Sequence, residues 1–124
     1  MTNYLAQESF PISGTEMEIQ LLQLTQGPVN LLLIGGVHGD EPEGYFLVEK
    51  FLRTRELWSD LQGHASLWVI PRLNPWGCAH DSRTNKNGVD PNRNMATKDW
   101  VGTANAPRYF PGPGANSEFE TQTL

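Results

Sequence analysis

Residues 30–41 read NLLLIGGVHGDE, an apolar run that ends in two glycines and a polar turn. A continuously apolar run of this length, bounded by glycine, is typical of a central strand that is covered on both faces of a sheet. Pro42 follows and marks the first turn of a helix. Apolar side chains then recur on one helical face, at Leu47, Val48, Phe51 and Leu52. The pattern predicts a buried strand, a short turn and a helix over about residues 43–57.

Two further segments extend this unit into a sheet. Residues 65–73, ASLWVIPRL, are apolar and rich in strand-forming residues, so strand, helix and strand together predict a right-handed βαβ crossover. Residues 16–24, EMEIQLLQL, are apolar at mostly every second position, which indicates another strand. The chain is therefore expected to be an α/β protein.

Charge and composition exclude several classes of partner. The 124 residues include nine cationic and fourteen acidic side chains, for a formal net charge of -5. This balance argues against nucleic acid or an anionic membrane surface as a partner. The single cysteine, Cys78, excludes an intramolecular disulfide, and neither a leader peptide nor a membrane span is recognisable. These observations predict a cytoplasmic protein with no nucleic-acid or membrane partner.

Residues 74–116 differ in character from the rest of the chain. They contain five prolines, five glycines and seven asparagines, without a periodic apolar pattern. So long a stretch without regular structure is either disordered or functional. It carries five cations and three anions, which suits a small anionic ligand. Residues 117–120, Ser-Glu-Phe-Glu, then match a capping box, which predicts the start of a helix.

His38 and Glu41 are candidate metal ligands. They lie three positions apart in the turn after the predicted strand, and the carboxyl end of a parallel strand is where α/β sheets gather ligands. Imidazole and carboxylate at this spacing can converge on one Zn²⁺. Alternatively, Glu41 caps the helix and His38 is a surface turn residue. A catalytic zinc normally has three protein ligands, and neither His64 nor His80 lies at ligand spacing from a partner.

Residues 83–94 suggest recognition of an anion. Arg83 and Arg93 lie ten positions apart among amide side chains and a glycine. Guanidinium groups bind carboxylates bidentately and polarise carbonyl groups. The spacing by itself, however, favours a solvated polar loop.

Several motifs, in this order, resemble the zinc carboxypeptidases of the M14 type, most closely the bacterial murein-peptide amidases. They are Gly-Val-His-Gly-Asp-Glu at 36–41, Asn-Pro at 74–75, Arg-Thr-Asn at 83–85, Asn-Gly-Val-Asp-Pro-Asn-Arg-Asn at 87–94 and Asn-Ser-Glu-Phe-Glu-Thr-Gln at 116–122. The resemblance implies an α/β/α zinc-carboxypeptidase-like fold with a mixed, largely parallel sheet. Residues 1–124 would form the N-terminal part of one such domain, with its C-terminal part outside this chain.

The resemblance also implies a role for each matching residue. His38 and Glu41 would be the first two ligands of Zn²⁺, and Asp90 would hold the His38 ring. Arg83 would polarise the scissile carbonyl, and two neighbouring residues, Asn92 and Arg93, would bind the C-terminal carboxylate of the substrate. The family takes its third ligand, a histidine, and its general-base glutamate from a region beyond residue 124. The chain alone is therefore expected to be incomplete and inactive.

Three hypotheses about function follow. The first is a zinc metallocarboxypeptidase or amidase that hydrolyses a peptide bond next to a free C-terminal carboxylate, with peptides or murein peptides as substrates and a complementary C-terminal segment as partner. The second is a deacylase of small N-acyl amino acids, similar to aspartoacylase or succinylglutamate desuccinylase. The third is a carboxylate-binding fragment without catalytic activity, in which binding depends on Arg93.

Overall fold

The computed structural model of the protein describes residues 3–124. Its sheet has four strands in the order β1-β2-β4-β3. The strands are β1 (Ala6–Pro11), β2 (Glu18–Gln23), β3 (Val29–Ile34) and β4 (Ala65–Ile70). β3 pairs with β4 in parallel, whereas β2 runs antiparallel to both β4 and β1. The predicted α/β class with a mixed sheet is confirmed, with one parallel pair among the described strands.

Helix α1 (Glu43–Arg53) connects the two parallel strands, so the predicted βαβ unit is present. The helix ends before residue 57, because Thr54 leaves helical geometry with φ -106° and ψ 82°. Two short 3-10 turns, Arg55–Leu57 and Ser59–Leu61, lead on to β4. Within residues 3–124, no helix combines the length and apolar character needed to cross a membrane.

The buried face of α1 differs from the predicted stripe. Tyr45, Val48 and Leu52 are buried, whereas Leu47 is 67% exposed. Positions 45, 48 and 52 follow the i, i+3, i+7 spacing of a single face, whereas Leu47 lies on the far side of the helix from that face. Tyr45 also provides an aromatic surface for Arg72, whose guanidinium carbon lies 4.9 Å from the ring centroid.

The sheet carries a hydrophobic cluster on each face, because side chains alternate along each strand. One cluster packs the sheet against α1 and consists of Leu22, Leu24, Val48, Leu52, Trp58, Leu67 and Val69. The other lies on the opposite face and consists of Ile12, Ile19, Ile70 and Leu73, with Met95 packed against it. The central strands β2 and β4 contribute to both clusters.

β3 was expected to be a central strand, and this prediction is wrong for the described part of the chain. β3 lies at the edge of the sheet, next to β4 alone. Three of its apolar side chains, Val29, Leu31 and Leu32, are 55%, 41% and 50% exposed. The apolar run therefore has the composition of a covered strand, but residues 3–124 cover it only in part. Leu33 and Ile34 pack against the two clusters, whereas the other three apolar side chains stay exposed.

The proline- and asparagine-rich segment is ordered by buried amide side chains. Asn74 begins α2 (Pro75–Ala79) by accepting a hydrogen bond from the Gly77 N–H at 2.9 Å. Asn85 Oδ1 accepts from two backbone N–H groups, and Asn94 Nδ2 donates to the carbonyl oxygens of Pro111 and Gly114. The segment also contains α3 (Pro91–Asn94) and a 3-10 turn, Pro107–Tyr109. The structure therefore shows an ordered segment at residues 74–116, and the predicted alternative of disorder is wrong.

The last helix, α4 (Phe119–Gln122), does not begin with the predicted capping box. Glu118 is its N-cap, and no side chain caps the helix. Ser117 Oγ donates instead to Glu118 Oε1 at 2.8 Å, and the Glu120 carboxylate accepts from Asn85 Nδ2 at 2.9 Å. Both side chains of the expected box are therefore bound to partners outside the first turn.

Candidate metal and substrate site

The turn after β3 is fixed by close backbone contacts. The Gly35 N–H donates to Ile70 O at 2.8 Å, and Gly36 O accepts from the Asn74 N–H at the same distance. Gly36 has a φ of +60°, which favours glycine, and a Cβ on Gly39 would overlap the carbonyl oxygen of Gly77. The glycines let the turn pack directly on the start of α2. This packing places His38 at the carboxyl end of the parallel pair.

His38 is buried, and its ring is oriented by Asp90. The Nε2 atom lies 2.8 Å from Asp90 Oδ1, and Nδ1 lies 3.4 Å from Glu41 Oε2. An ionised carboxylate can only accept hydrogen bonds, and the contact with Asp90 is the shorter of the two. We therefore assign the proton of the neutral ring to Nε2, which donates a hydrogen bond to Asp90. In the neutral ring, Nδ1 then has a free lone pair on the side of Glu41. This is the tautomer that a metal-binding histidine requires.

Asp90 is fully buried and connects three parts of the site. Its Oδ1 also accepts from the Asn92 N–H at 3.0 Å, which begins α3, and its Oδ2 accepts from Arg83 Nε at 2.8 Å. Burial alone would raise the pKa of this carboxyl, but the hydrogen bonds from His38 and Arg83 outweigh burial and hold the pKa below its ordinary value. Asp90 is therefore a carboxylate at neutral pH.

Arg83 links the two carboxylates near His38. Besides Asp90, it binds Glu41, with Nη1 donating to Glu41 Oε1 at 3.0 Å. The Arg83 side chain is only 12% exposed, whereas that of Glu41 is 59% exposed. We refer to these four residues, His38, Glu41, Arg83 and Asp90, as the His38 cluster. The structure thus brings together residues that lie up to 52 positions apart in the sequence.

Asn92 and Arg93 lie at the start of α3, next to the His38 cluster but without a side-chain hydrogen bond to it. Both are exposed and line a cavity of about 770 Å³, together with Met95, Trp100 and Tyr109. Within residues 3–124, no carboxylate oxygen lies within 4.0 Å of an Arg93 guanidinium nitrogen. The Arg93 guanidinium can therefore bind an external anion.

Tyr109 was not predicted from the sequence. Its half-buried ring lies beside three guanidinium groups, with distances of 5.1, 5.4 and 6.0 Å from the ring centroid to the terminal carbons of Arg83, Arg108 and Arg93. Arg108 in turn binds Asp40 Oδ2 at 2.8 Å. A single Arg-Tyr pair in a long loop has no distinctive spacing, so the sequence offered no signal for this arrangement.

The His38 cluster offers two donors to a metal ion, His38 Nδ1 and the Glu41 carboxylate. In the part of the chain that the structure describes, no group of three or more His, Cys, Asp or Glu side chains could hold a metal ion. His64 is exposed, and His80 stacks on Trp76 at 4.2 Å and hydrogen-bonds to its carbonyl oxygen. Burial is the main cause that raises the pKa of the Cys78 thiol to about 11, so Cys78 is not a ready thiolate ligand. The donors present fit part of a zinc site.

The sequence of the chain matches a protein family and a bacterial amidase. Residues 13–110 match a family described as a protein of unknown function, DUF2817. Over 69 residues, 56% of this chain, the sequence is 39% identical to murein peptide amidase A of Escherichia coli K12, and the alignment covers 26% of that protein.

Solved structures share the fold. The murein-tripeptide amidase of Escherichia coli O157 matches 95% of this chain and 53% of its own chain, with a TM-score of 0.75 and 28% identity. Carboxypeptidase A of Helicoverpa armigera matches 97% of this chain and 36% of its own chain, with a TM-score of 0.71 and 19% identity. The predicted resemblance to zinc carboxypeptidases and murein-peptide amidases is confirmed. The chain spans about half, or less, of the length of these relatives.

Proposed function

The chain belongs to the DUF2817 family of proteins of unknown function, and we propose that its His38 cluster is part of a zinc-dependent site that hydrolyses peptide bonds next to a free C-terminal carboxylate. Murein peptides are the proposed substrate class, because a related protein is a murein peptide amidase. The observation that carries the proposal is the orientation of His38. Its Nε2 is held by a buried carboxylate, and its Nδ1 faces the carboxylate of Glu41.

His38 Nδ1 and Glu41 are the residues that would hold the metal. Bound zinc supplies Lewis acidity and lowers the pKa of a coordinated water towards neutrality. Asp90 keeps the Nε2 proton on its own side of the ring and so keeps the Nδ1 lone pair available. Since Asp90 also binds Arg83 and the start of α3, the same carboxylate aligns the metal-binding and substrate-binding residues.

Arg83 and Arg93 are suited to different parts of a peptide. Arg83 already donates from Nε and Nη1, and its remaining N–H groups can hydrogen-bond a carbonyl oxygen at the edge of the His38 cluster. Arg93 has no carboxylate partner among residues 3–124, and Asn92 provides a neighbouring amide. We assign the C-terminal carboxylate of the substrate to this pair, because a guanidinium fork matches a carboxylate bidentately.

A complementary C-terminal segment would complete the site. Two donors are present where a catalytic zinc normally has three protein ligands, and the described residues leave the β3 edge exposed. The relatives extend well beyond the region matched here. We therefore propose that residues 1–124 act as the N-terminal part of one peptidase domain. The third ligand and the general base would come from the complementary segment, and the whole protein would act in the cytoplasm.

Zinc titration of variants in the longer protein, with the complementary C-terminal segment supplied, tests the metal assignment. His38→Ala is expected to lose most of the zinc affinity, because it removes a donor. Asp90→Asn is expected to weaken binding about 10- to 100-fold, because it removes the acceptor that orients the His38 ring. Competition with a chromophoric chelator measures both effects. His64→Ala, at an exposed histidine, is the matched control and should bind zinc like the parent. Unchanged affinity in His38→Ala would overturn the assignment.

A further inference from the structure

Arg93 differs from the other arginines near the His38 cluster in having no ionic partner among the described residues. Arg83 binds Asp90 and Glu41, and Arg108 binds Asp40. For Arg93, residues 3–124 provide an aromatic ring instead, with the guanidinium carbon 6.0 Å from the centroid of Tyr109. This distance lies at the limit within which the quadrupole of an aromatic ring attracts a cation.

The kind of partner affects what the guanidinium can still bind. A carboxylate bound to Arg93 would occupy its N–H donors and compete with a carboxylate of the substrate. An aromatic ring attracts the cation without accepting those hydrogen bonds. A guanidinium held in this way keeps both its full charge and its free N–H groups.

The backbone on either side of Tyr109 is held by contacts with the start of α3 and with the turn that follows β3. The Phe110 carbonyl, one residue further on, accepts from the Asp90 N–H at 2.8 Å. Arg108, one residue earlier, binds Asp40 in the turn that carries His38 and Glu41. Among the described contacts, the Tyr109 hydroxyl makes no hydrogen bond, so the ring face accounts for the interactions of this side chain.

We propose that Tyr109 is a positioning residue that holds the Arg93 guanidinium ready for the C-terminal carboxylate of a peptide. This inference rests on the proposed function, which assigns that carboxylate to Arg93. Tyr109 also contacts Arg83 at 5.1 Å, so the same ring sets the spacing between the two arginines that bind substrate. The residue acts through the arginines and need not touch the reacting atoms.

The test compares two substitutions at the same position. Tyr109→Phe keeps the aromatic face, whereas Tyr109→Leu keeps apolar bulk and removes the ring. The probes are an N-acetylated tripeptide with a free C-terminal carboxylate and the same tripeptide as its C-terminal amide. Their dissociation constants with the protein are measured by NMR titration, which also detects weak binding. Phe110→Leu, at a neighbouring exposed aromatic residue, is the matched control.

Tyr109→Leu is expected to weaken binding of the free acid about 3- to 30-fold, the range of one cation–π contact from exposed to desolvated sites. Binding of the amide should change little, and both Tyr109→Phe and Phe110→Leu should retain the preference of the parent for the acid. Equal affinities in the parent and Tyr109→Leu would overturn the inference. A loss of affinity for the free acid in Tyr109→Phe as large as that in Tyr109→Leu would also overturn it. The same holds if Tyr109→Leu weakens binding of the acid and of the amide equally. If the parent itself does not prefer the acid, the proposed role of Arg93 fails, and this inference fails with it.

Discussion

Gly39 lies so close to the backbone of Gly77 that no side chain fits at position 39. A Cβ at this position would overlap both the carbonyl oxygen and the carbonyl carbon of Gly77. These are backbone atoms of α2, and they cannot move aside as a flexible side chain can. Since Gly39 directly follows His38, any shift that relieves the overlap also displaces the ring that Asp90 orients.

Gly39→Ala is therefore expected to lower the free energy of unfolding by about 3 kcal/mol, at the upper end of the usual cost of overpacking. Urea denaturation of the two proteins measures the difference. Gly114→Ala is the matched control, because a Cβ at residue 114 would have no atom within 4 Å and the φ of this glycine is not in the left-handed region. The control should stay within about 1 kcal/mol of the parent. A Gly39→Ala protein as stable as the parent would contradict this account of the turn.

At the level of single residues, sequence reasoning singled out His38 and Glu41 as candidate ligands because they are close in sequence and follow a recognisable strand. The implied place of Asp90 beside His38 agrees with the 2.8 Å contact, but this expectation came from the family resemblance. Spacing alone could not identify a partner 52 positions away. Tyr109 was missed because its contacts with three arginines depend on the folded course of residues 83–109, which local sequence does not encode.

Among the elements, the junction between α4 and the loop at residues 85–87 depends on a buried carboxylate. Glu118 accepts hydrogen bonds from Asn85 Nδ2 at 2.8 Å, from Asn87 Nδ2 at 2.7 Å and from Ser117 Oγ. Burial by itself raises the pKa of this carboxyl, but these donors outweigh burial and hold its pKa below the ordinary value of 4.5. The carboxylate form therefore stabilises the junction.

Glu118→Gln is expected to lower the free energy of unfolding at pH 7 by about 1–3 kcal/mol, the usual contribution of hydrogen bonds to a charged group. Because the pKa in the folded protein lies below that in the unfolded chain, this contribution is fully present above pH 4.5. It is lost as the pH falls through the lowered value. Urea denaturation at several pH values should show the two proteins converging in acid. Glu16→Gln, at an exposed glutamate, should show no such convergence.

Some elements were predicted incorrectly or not at all. Ser117 and Glu120 match a capping box in sequence, but Glu118, Asn94 and Asn85 bind their side chains. β3 has the composition of a covered strand, but Val29, Leu31 and Leu32 stay exposed because β4 is its only neighbour among the described strands. β1 was not predicted, because its sequence AQESFP has little apolar character and the strand is recognisable only through its pairing with β2. For α4 and β1, contacts with other segments of the chain decide the structure, and the local sequence pattern does not encode them.

The whole molecule has more exposed surface than a compact domain of its size. Its accessible surface is 7462 Å², whereas a compact monomer of this mass exposes roughly 6,700 Å². Part of the excess is apolar and lies on the β3 edge, where Leu31 and Leu32 line a cavity with Leu124 and Trp68. This surface agrees with the proposal that a further segment of the same domain packs against the sheet.

The chain by itself is expected to hydrolyse neither a murein tripeptide nor N-acetylaspartate, because residues 3–124 provide only two candidate zinc ligands. A longer form of the protein that supplies a third histidine and a general base should cleave the tripeptide in preference to N-acetylaspartate. Product release with added zinc, measured for both forms, is the test. Zinc-dependent hydrolysis by the chain alone would contradict the proposed division of the site, and a preference for N-acetylaspartate would favour a deacylase.

The hydrogen bond between His38 and Asp90 also has a consequence for folding. It closes a loop of 52 residues, so it forms only at the entropic cost of ordering the intervening segment. The His38 ring thus acquires its orientation only when the segment leading to Asp90 has docked. Local opening of that segment releases the ring in the same event, so the proposed metal binding and the protection of these amides from hydrogen exchange should rise and fall together.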